Sequence, residues 1–514
     1  MKVFTVKKVT IKSFLFIIHT LFYLSFATLS PAQNRKPGFV VSPYIQDVGT
    51  ETASIMWETT EPCLGMILFA KAAYEILTPK MKIAAKEDTP KTLHQLQLRG
   101  LQADEVYYYQ VISISQSQDT LKGPVTSLTI PNYYKSPVTF TVSGDSQGNP
   151  KVWGRISELM LRETPQFIVH AGDLVQYGPH KDDWTEEFFR PASQLFSHVP
   201  LYPAIGNHEM NDPKFYQYYN LPYENAFYSI KKGEVCIIFI DTNKDLLPGS
   251  AQYRQLESLL ANVKEKWKIT VHHHPIFNSD MASYRSSLMA KPIKGDPNIL
   301  HLKTLYNNYG VDLVLAGHIH GYERTWPIHK NHIDDDLGTV HIITGGAGGR
   351  LRFQAPAKNW FSAKIRKTNH FLSFSIWKNT LTMEAIDTTG TVFDTWTKEK
   401  KTFTKNLNPP LLQAVERYFP DKTILTLINP NGHGSMIFSI NDGEYTTATS
   451  GRHEIQIDNT TTITAFITDN QYVKSREIVK TFVKLPLVKG LKTVHKALEA
   501  TYIEDFFTLL PEFS

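Results

Sequence analysis

The chain of 514 residues is too long for a single hydrophobic core and predicts three or four folding units at roughly 150 residues each. Hydrophobic residues make up 42% and charged residues 20%, which excludes wholesale disorder and collagen-like structure. The 54 basic and 49 acidic residues give a formal charge of +5, and where that surplus lies decides whether it signals an anionic partner.

It lies at the start. Lys2, Lys7, Lys8 and Lys12 come with no acidic residue and are followed by an apolar run from Phe14 to Ala27 and by Ser30-Pro31-Ala32. Residues 1–32 therefore read as a secretory signal peptide, with an uncleaved anchor as the alternative. A spanning helix needs about 20 apolar residues, and this run is shorter and is interrupted by His19. Removing the segment leaves 50 basic against 49 acidic residues. A nearly neutral mature chain follows, secreted or periplasmic, with no nucleic-acid partner indicated and no transmembrane segment. The two cysteines, Cys63 and Cys236, are too few and too far apart for a disulfide framework. Cys236 lies in the apolar run 235–240 and reads as a small core residue.

Residues 37–131 look all-β. Leu96, Leu98, Tyr107, Tyr109 and Val111 alternate on either side of the turn-like stretch 99–104, which predicts a half-buried hairpin. The stretch from Leu101 to Val111, with Tyr107 at the corner, resembles the late strands of a fibronectin type III domain, and so implies an N-terminal β-sandwich.

From Pro137 to about Trp396 the pattern changes to apolar runs (138–142, 167–171, 201–205, 235–240, 269–272 and 311–316) that read as buried strands. Val152, Ile156, Leu159 and Met160, and later Leu256, Leu259, Leu260 and Val263, recur at helical spacing. The expectation is a central α/β unit over 137–396, its sheet covered by helices on both faces. Residues 397–411, with Lys398, Lys400, Lys401, Pro409 and Pro410, read as a linker. Residues 412–485 read as a small β-sandwich, with a turn signal at Asp442-Gly443, resembling the unit at the end of chitobiases; residues 486–514 form a tail with no assigned structure.

The informative side chains fall where predicted strands end: Asp145, Asp173, Asn207 with His208, the run His272-His273-His274, and His318 with His320. In open α/β sheets the carboxyl ends of strands are where ligands bind, so five distant segments can meet at one point. His318 and His320 are two residues apart and would face one way in an extended segment. Oxygen and nitrogen donors without thiolate suit Fe, Mn or Zn.

Taken in order, Gly144-Asp145, the stretch 172–177, Gly206-Asn207-His208-Glu209, the stretch 271–275 and the stretch from Gly317 to Arg324 resemble the motif set of calcineurin-like metallophosphoesterases. The last motif and the preceding β domain are most similar to the purple acid phosphatases. The resemblance implies a metallophosphoesterase-type β-sandwich core flanked by helices and a centre of two metal ions, divalent or of mixed valence. Asp145, Asp173 and His320 would hold one ion; Asp173, Asn207, His273 and His318 would hold the other, with Asp173 bridging. His273 is taken from the triple because the family's ligand stands two residues before a proline, here Pro275. His208 would assist the leaving group or contact the phosphoryl group, and His272 and His274 would lie behind the ligands or on the substrate side.

Three departures matter. The family's metal-binding tyrosine position, three after the second motif's Asp, is Gln176, and Tyr177 follows it. A slip of one residue in an extended segment turns Tyr177 away, whereas a loop could deliver it. Asp145 is followed by Ser146-Gln147 rather than by histidine at the second position, so water, Gln147 or Tyr177 would complete that ion's shell. Asn278-Ser279 lacks a downstream histidine pair. The resemblance and the leader segment together imply an exported phosphatase that hydrolyses phosphate monoesters by attack of a metal-bridging hydroxide. A phosphodiesterase or nucleotidase is the alternative; a surface protein with an inactive core, binding glycan or a partner through its terminal β domains, is another.

Overall fold

The computed structural model describes residues 36–485 apart from 73–80, 222–225, 280–297, 353–358, 401–406, 415–417, 449–450 and 471–472. The predicted signal segment and the tail from residue 486 lie outside the described residues.

In the central unit the apolar runs are continuous because single strands serve two cores. Within Val235–Ile240, Ile237 and Phe239 join the large core that also holds Phe140, Val142, Ile269 and Leu313. Cys236, Ile238 and Ile240 instead join Leu256 and Leu260 of the helix Ala251–Asn262 and Leu305 of the helix Leu302–Tyr309. Successive side chains point to opposite faces, so a strand covered on both faces must be apolar throughout. Cys236 is fully buried there, and burial pushes its thiol up to about 12, which keeps it a protonated core residue.

Two sheets result. One runs Leu201–Pro203, Phe167–His170, Val138–Ser143, His370–Trp377, Thr380–Asp387, Val392–Glu399; its first three strands are mutually parallel. The other runs Tyr228–Lys232, Val235–Ile240, Trp267–His272, Leu313–Ala316, Val340–Thr344, Tyr322–Thr325, Ser362–Arg366, with four parallel strands at its centre. The helix Pro150–Arg162 starts on an Asn149 side chain that accepts the Val152 N–H, with Pro150 in the first turn, and buries Trp153, Ile156 and Met160 against the large core.

The N-terminal unit is built on one long strand, Thr52–Lys71. Its first half pairs with Phe39–Gln46 and Lys91–Arg99, its second with Lys82–Lys86 and Val106–Ser115. The expected hairpin between the Leu96 and Tyr109 stretches therefore does not form as one, because both strands use Thr52–Lys71 as their partner. Their alternation was real, since Leu98, Tyr107 and Tyr109 share one core. The Tyr107 hydroxyl accepts the Gln102 N–H at 2.9 Å and fixes the corner.

The expected linker is also corrected at its start. Val392–Glu399 continues the first sheet, and Lys398 and Lys400 reach buried Asp312 at 3.5 and 2.7 Å. Asn408 is buried and accepts from Lys268 Nζ at 2.9 Å. Beyond it, a three-stranded and a five-stranded sheet, from Leu411 to Lys484, close on Leu412, Leu427, Phe438, Ile463 and Phe482.

Phe140 stacks against Phe167 and Phe374, with ring centroids 5.0 and 4.9 Å away, and so ties three neighbouring strands together. Phe140→Ala should cost about 3–5 kcal/mol, read as a lowered urea midpoint, since the strands on either side cannot collapse into the space. A loss under about 1 kcal/mol would show that this stack is not where the sheet is held.

Candidate metal centre

A chain leaving a strand loses its ladder partners, and its backbone and side-chain polar groups must find others. Here they find one another. Asp145, Asp173 and His318 adopt left-handed backbone conformations, φ 57°, 55° and 68°, which non-glycine residues enter at a cost. The amide of Asp145 donates to the Gly172 carbonyl at 3.0 Å, and that of Gly317 to the His273 carbonyl at 3.0 Å, which ties the loops together. Two glycines allow the closeness: a Cβ on Gly206 would strike the Asp173 side chain and amide, and one on Gly317 would strike the Asp145 carboxylate.

The cluster spans both sheets. Asp145 accepts the His318 N–H on both carboxylate oxygens at 2.9 Å, and its Oδ1 is 3.4 Å from His320 Nε2. Asp173 Oδ2 lies 3.0 Å from His273 Nε2, while its Oδ1 accepts the His208 N–H at 2.8 Å. Asn207 Oδ1 is 3.1 Å from both His273 Nε2 and His318 Nδ1. Asp145, Asp173 and His273 have ligand atoms within 4.8 Å of one another, as do His273, His274 and His318.

These atoms fit cations. Ligands about 2.0–2.2 Å from one ion lie roughly 3–3.5 Å from each other, which is the spacing seen here. The Nδ1–H of His273 donates to the Ala171 carbonyl at 2.9 Å and that of His320 to the Arg350 carbonyl at 2.9 Å, so Nε2 of each ring faces the cluster and can ligate an ion once it carries no proton. The donors are nitrogen and oxygen alone, as Fe, Mn or Zn requires.

Electrostatics point the same way. Burial disfavours the charged form of His273, but the Asp173 and Asp145 carboxylates outweigh it and hold the imidazole up to about 9. Burial raises Asp173 too, yet the His273 charge and hydrogen bond bring it well below the ordinary carboxylate range. His318 is pushed down to about 3, first by burial and then by the charges of His273 and His274. Metal-free, the cluster thus borrows a proton on His273 to balance its carboxylates.

Other residues sit around this group. The Nδ1–H of His208 donates to the Gln176 carbonyl at 2.7 Å, leaving Nε2 on the open side, 3.9 Å from Asp173 Oδ2. His274 stands against the His318 ring at 4.7 Å and bonds Thr242 Oγ1 through Nδ1 at 2.8 Å. His272 is not brought in; it is buried in the second core beside Tyr306. Tyr177 is 40% exposed, its ring against His180 at 4.7 Å. Gln147 is buried, its amide end near Asp173 Oδ2 and His320 Nε2. Tyr322 and Arg324 both bond Asp394, and so brace the sheet rather than the cluster.

Sequence reasoning gave no role to Glu209. Its buried carboxylate accepts the backbone N–H groups of Asp173, Leu174 and Gly206 at 3.0, 2.7 and 2.6 Å. Burial and the nearby Asp173 charge nevertheless push it up to about 8. An acidic residue in an otherwise turn-like Gly-Asn-His stretch was the signal available.

Residues 138–322 match the family model of the calcineurin-like phosphoesterases. Purple acid phosphatase 18 of Arabidopsis thaliana is 30% identical over 293 residues, 52% of this chain and 62% of that protein; the chain thus spans under two thirds of that relative's length. Probable inactive purple acid phosphatase 27 of the same plant is 29% identical over 36% of this chain and 35% of its own. In fold, a purple acid phosphatase from yellow lupin (Lupinus luteus) seeds is similar with a TM-score of 0.61 at 19% identity, covering 71% of this chain and 75% of that one.

A cation entering the metal-free cluster must displace the proton on His273. Zinc affinity should therefore fall as pH drops below about 9, by up to about tenfold per pH unit for that proton. Calorimetry at pH 7 in buffers of different ionisation enthalpy should report a released proton, and a buffer-independent heat would contradict the protonated state.

Proposed function

We propose that this chain, whose residues 138–322 form a calcineurin-like phosphoesterase domain, is an exported phosphatase that works with two metal ions on phosphate monoesters. The observation that carries the reading is the meeting of Asp145, Asp173, Asn207, His273, His318 and His320, from the ends of strands in two sheets, with donor spacings that fit cations. Asp145, Asp173 and His320 would hold one ion and Asp173, Asn207, His273 and His318 the other. Such a pair supplies a nucleophilic water of lowered pKa and neutralises charge on the phosphoryl oxygens.

The chain's own groups do the rest. The Asp173 carboxylate is fixed by the His208 amide on one oxygen, leaving the other toward His273. His208 is anchored through Nδ1, so a proton on its Nε2 can pass to the departing alkoxide as the ester bond breaks. Its side chain is about one third exposed, as a group that meets substrate must be. A site of action outside the cytosol rests on the pattern of residues 1–32; among the described residues no helix is long and apolar enough to cross a membrane.

Asp173→Asn and His320→Ala should each abolish hydrolysis of an aryl phosphate, and full activity in either would sink the assignment. His208→Ala should lower kcat by about 10²–10⁴ on alkyl phosphates and much less on aryl phosphates, whose leaving groups need no proton. Equal losses on both would remove the acid role from His208. Rates on matched mono- and diesters decide between phosphatase and phosphodiesterase.

A further inference from the structure

Gln147 lies two residues beyond Asp145 and is 1% exposed. One terminal atom of its amide is 3.4 Å from Asp173 Oδ2 and 3.5 Å from His320 Nε2, within the part of the cluster that also holds Asp145. The other faces two backbone carbonyl oxygens, of Asp145 at 3.3 Å and of Asp173 at 2.8 Å. An amide carries one donor end and one acceptor end, and only nitrogen can satisfy two carbonyls. The oxygen is thereby turned toward the Asp173 carboxylate and the free His320 nitrogen. Oxygen beside carboxylate and lone pair is repulsive, and the contact becomes favourable when His320 Nε2 holds a proton or when a cation lies among the three.

The neighbours that could have taken this place do not. The Gln176 side-chain nitrogen is 3.4 Å from His208 Nδ1, and Tyr177 is packed outward on His180. We infer that the side-chain oxygen of Gln147 completes the shell of the ion held by Asp145, Asp173 and His320, with Tyr177 taking no part. The inference rests on the two-metal reading above. A neutral amide oxygen offsets less positive charge than a phenolate, so this position favours a divalent over a ferric ion, and a ferric ion placed there lacks the phenolate that colours the tyrosine-bearing enzymes.

The test uses the full chain stripped of metal and titrated with Zn²⁺ against a competing chelator, with bound zinc counted per chain. Two zinc ions are expected, and fewer than two in the unsubstituted chain would overturn the two-metal reading together with this inference. Gln147→Leu keeps the volume but removes the oxygen, and should weaken one of the two sites at least about tenfold. Two sites of unchanged affinity would overturn the Gln147 assignment while leaving the two-metal reading intact. Gln147→Asn keeps the amide but draws it back by one methylene, so it should also weaken one of the two sites. Should the leucine variant not fold, two sites of unchanged affinity in the asparagine variant overturn the inference by themselves. Loaded with Fe³⁺, the unsubstituted chain should show no intense visible band, and a band that vanishes in Tyr177→Phe would return the ligand role to the tyrosine.

Discussion

Asp145 and Asp173 carry two negative charges into a place from which water is excluded, and an uncompensated carboxylate in such a place costs several kcal/mol. Much of the surrounding structure follows from that constraint. Backbone amides of His208 and His318 are aimed at the two carboxylates, and the imidazoles of His273 and His320 stand within 3.0 and 3.4 Å. The left-handed turns at Asp145, Asp173 and His318 are the backbone's share of the cost, sustained by the packed sheets beneath. Cations at this point would discharge the same negative potential more completely than one shared proton.

The N-terminal β unit takes part in holding these loops. Glu58, on the long strand, accepts from Lys181 and from the Tyr218 hydroxyl, and the Tyr109 hydroxyl donates to the Ser197 carbonyl at 2.7 Å. Those partners flank the segment that carries Asn207, His208 and Glu209. The unit is thus a brace for one wall of the cluster, and contributes none of the candidate ligands.

Much of the central architecture was legible because a strand covered on both faces has to be apolar at every position, as Val235–Ile240 is. The site was legible for a related reason: polar residues that directly follow such runs, Asp145, Asp173 and Asn207 among them, stand out against them. Pairing partners were not legible, since alternation at Leu96 and Tyr109 records which face is buried and not which strand lies alongside. Nor was the pairing of Lys398 and Lys400 with buried Asp312, because that carboxylate is remote in sequence. The direction of the Gln147 amide and of the Tyr177 ring depends on loop contacts to Asp173 and His180, which no periodicity encodes.

Glu209 joins the turn after one strand to the turn after the next through a single carboxylate, whose Oε2 accepts the amides of both Asp173 and Gly206 while its Oε1 accepts that of Leu174. The two turns are therefore one mechanical part. A thermal displacement that shifts Asp173 carries the neighbouring Asn207 with it, so their relative position is preserved while their absolute position wanders. Beyond the last ladder bond of the two strands, at Ala204 and His170, their continuation is joined by a side chain that need touch neither substrate nor metal.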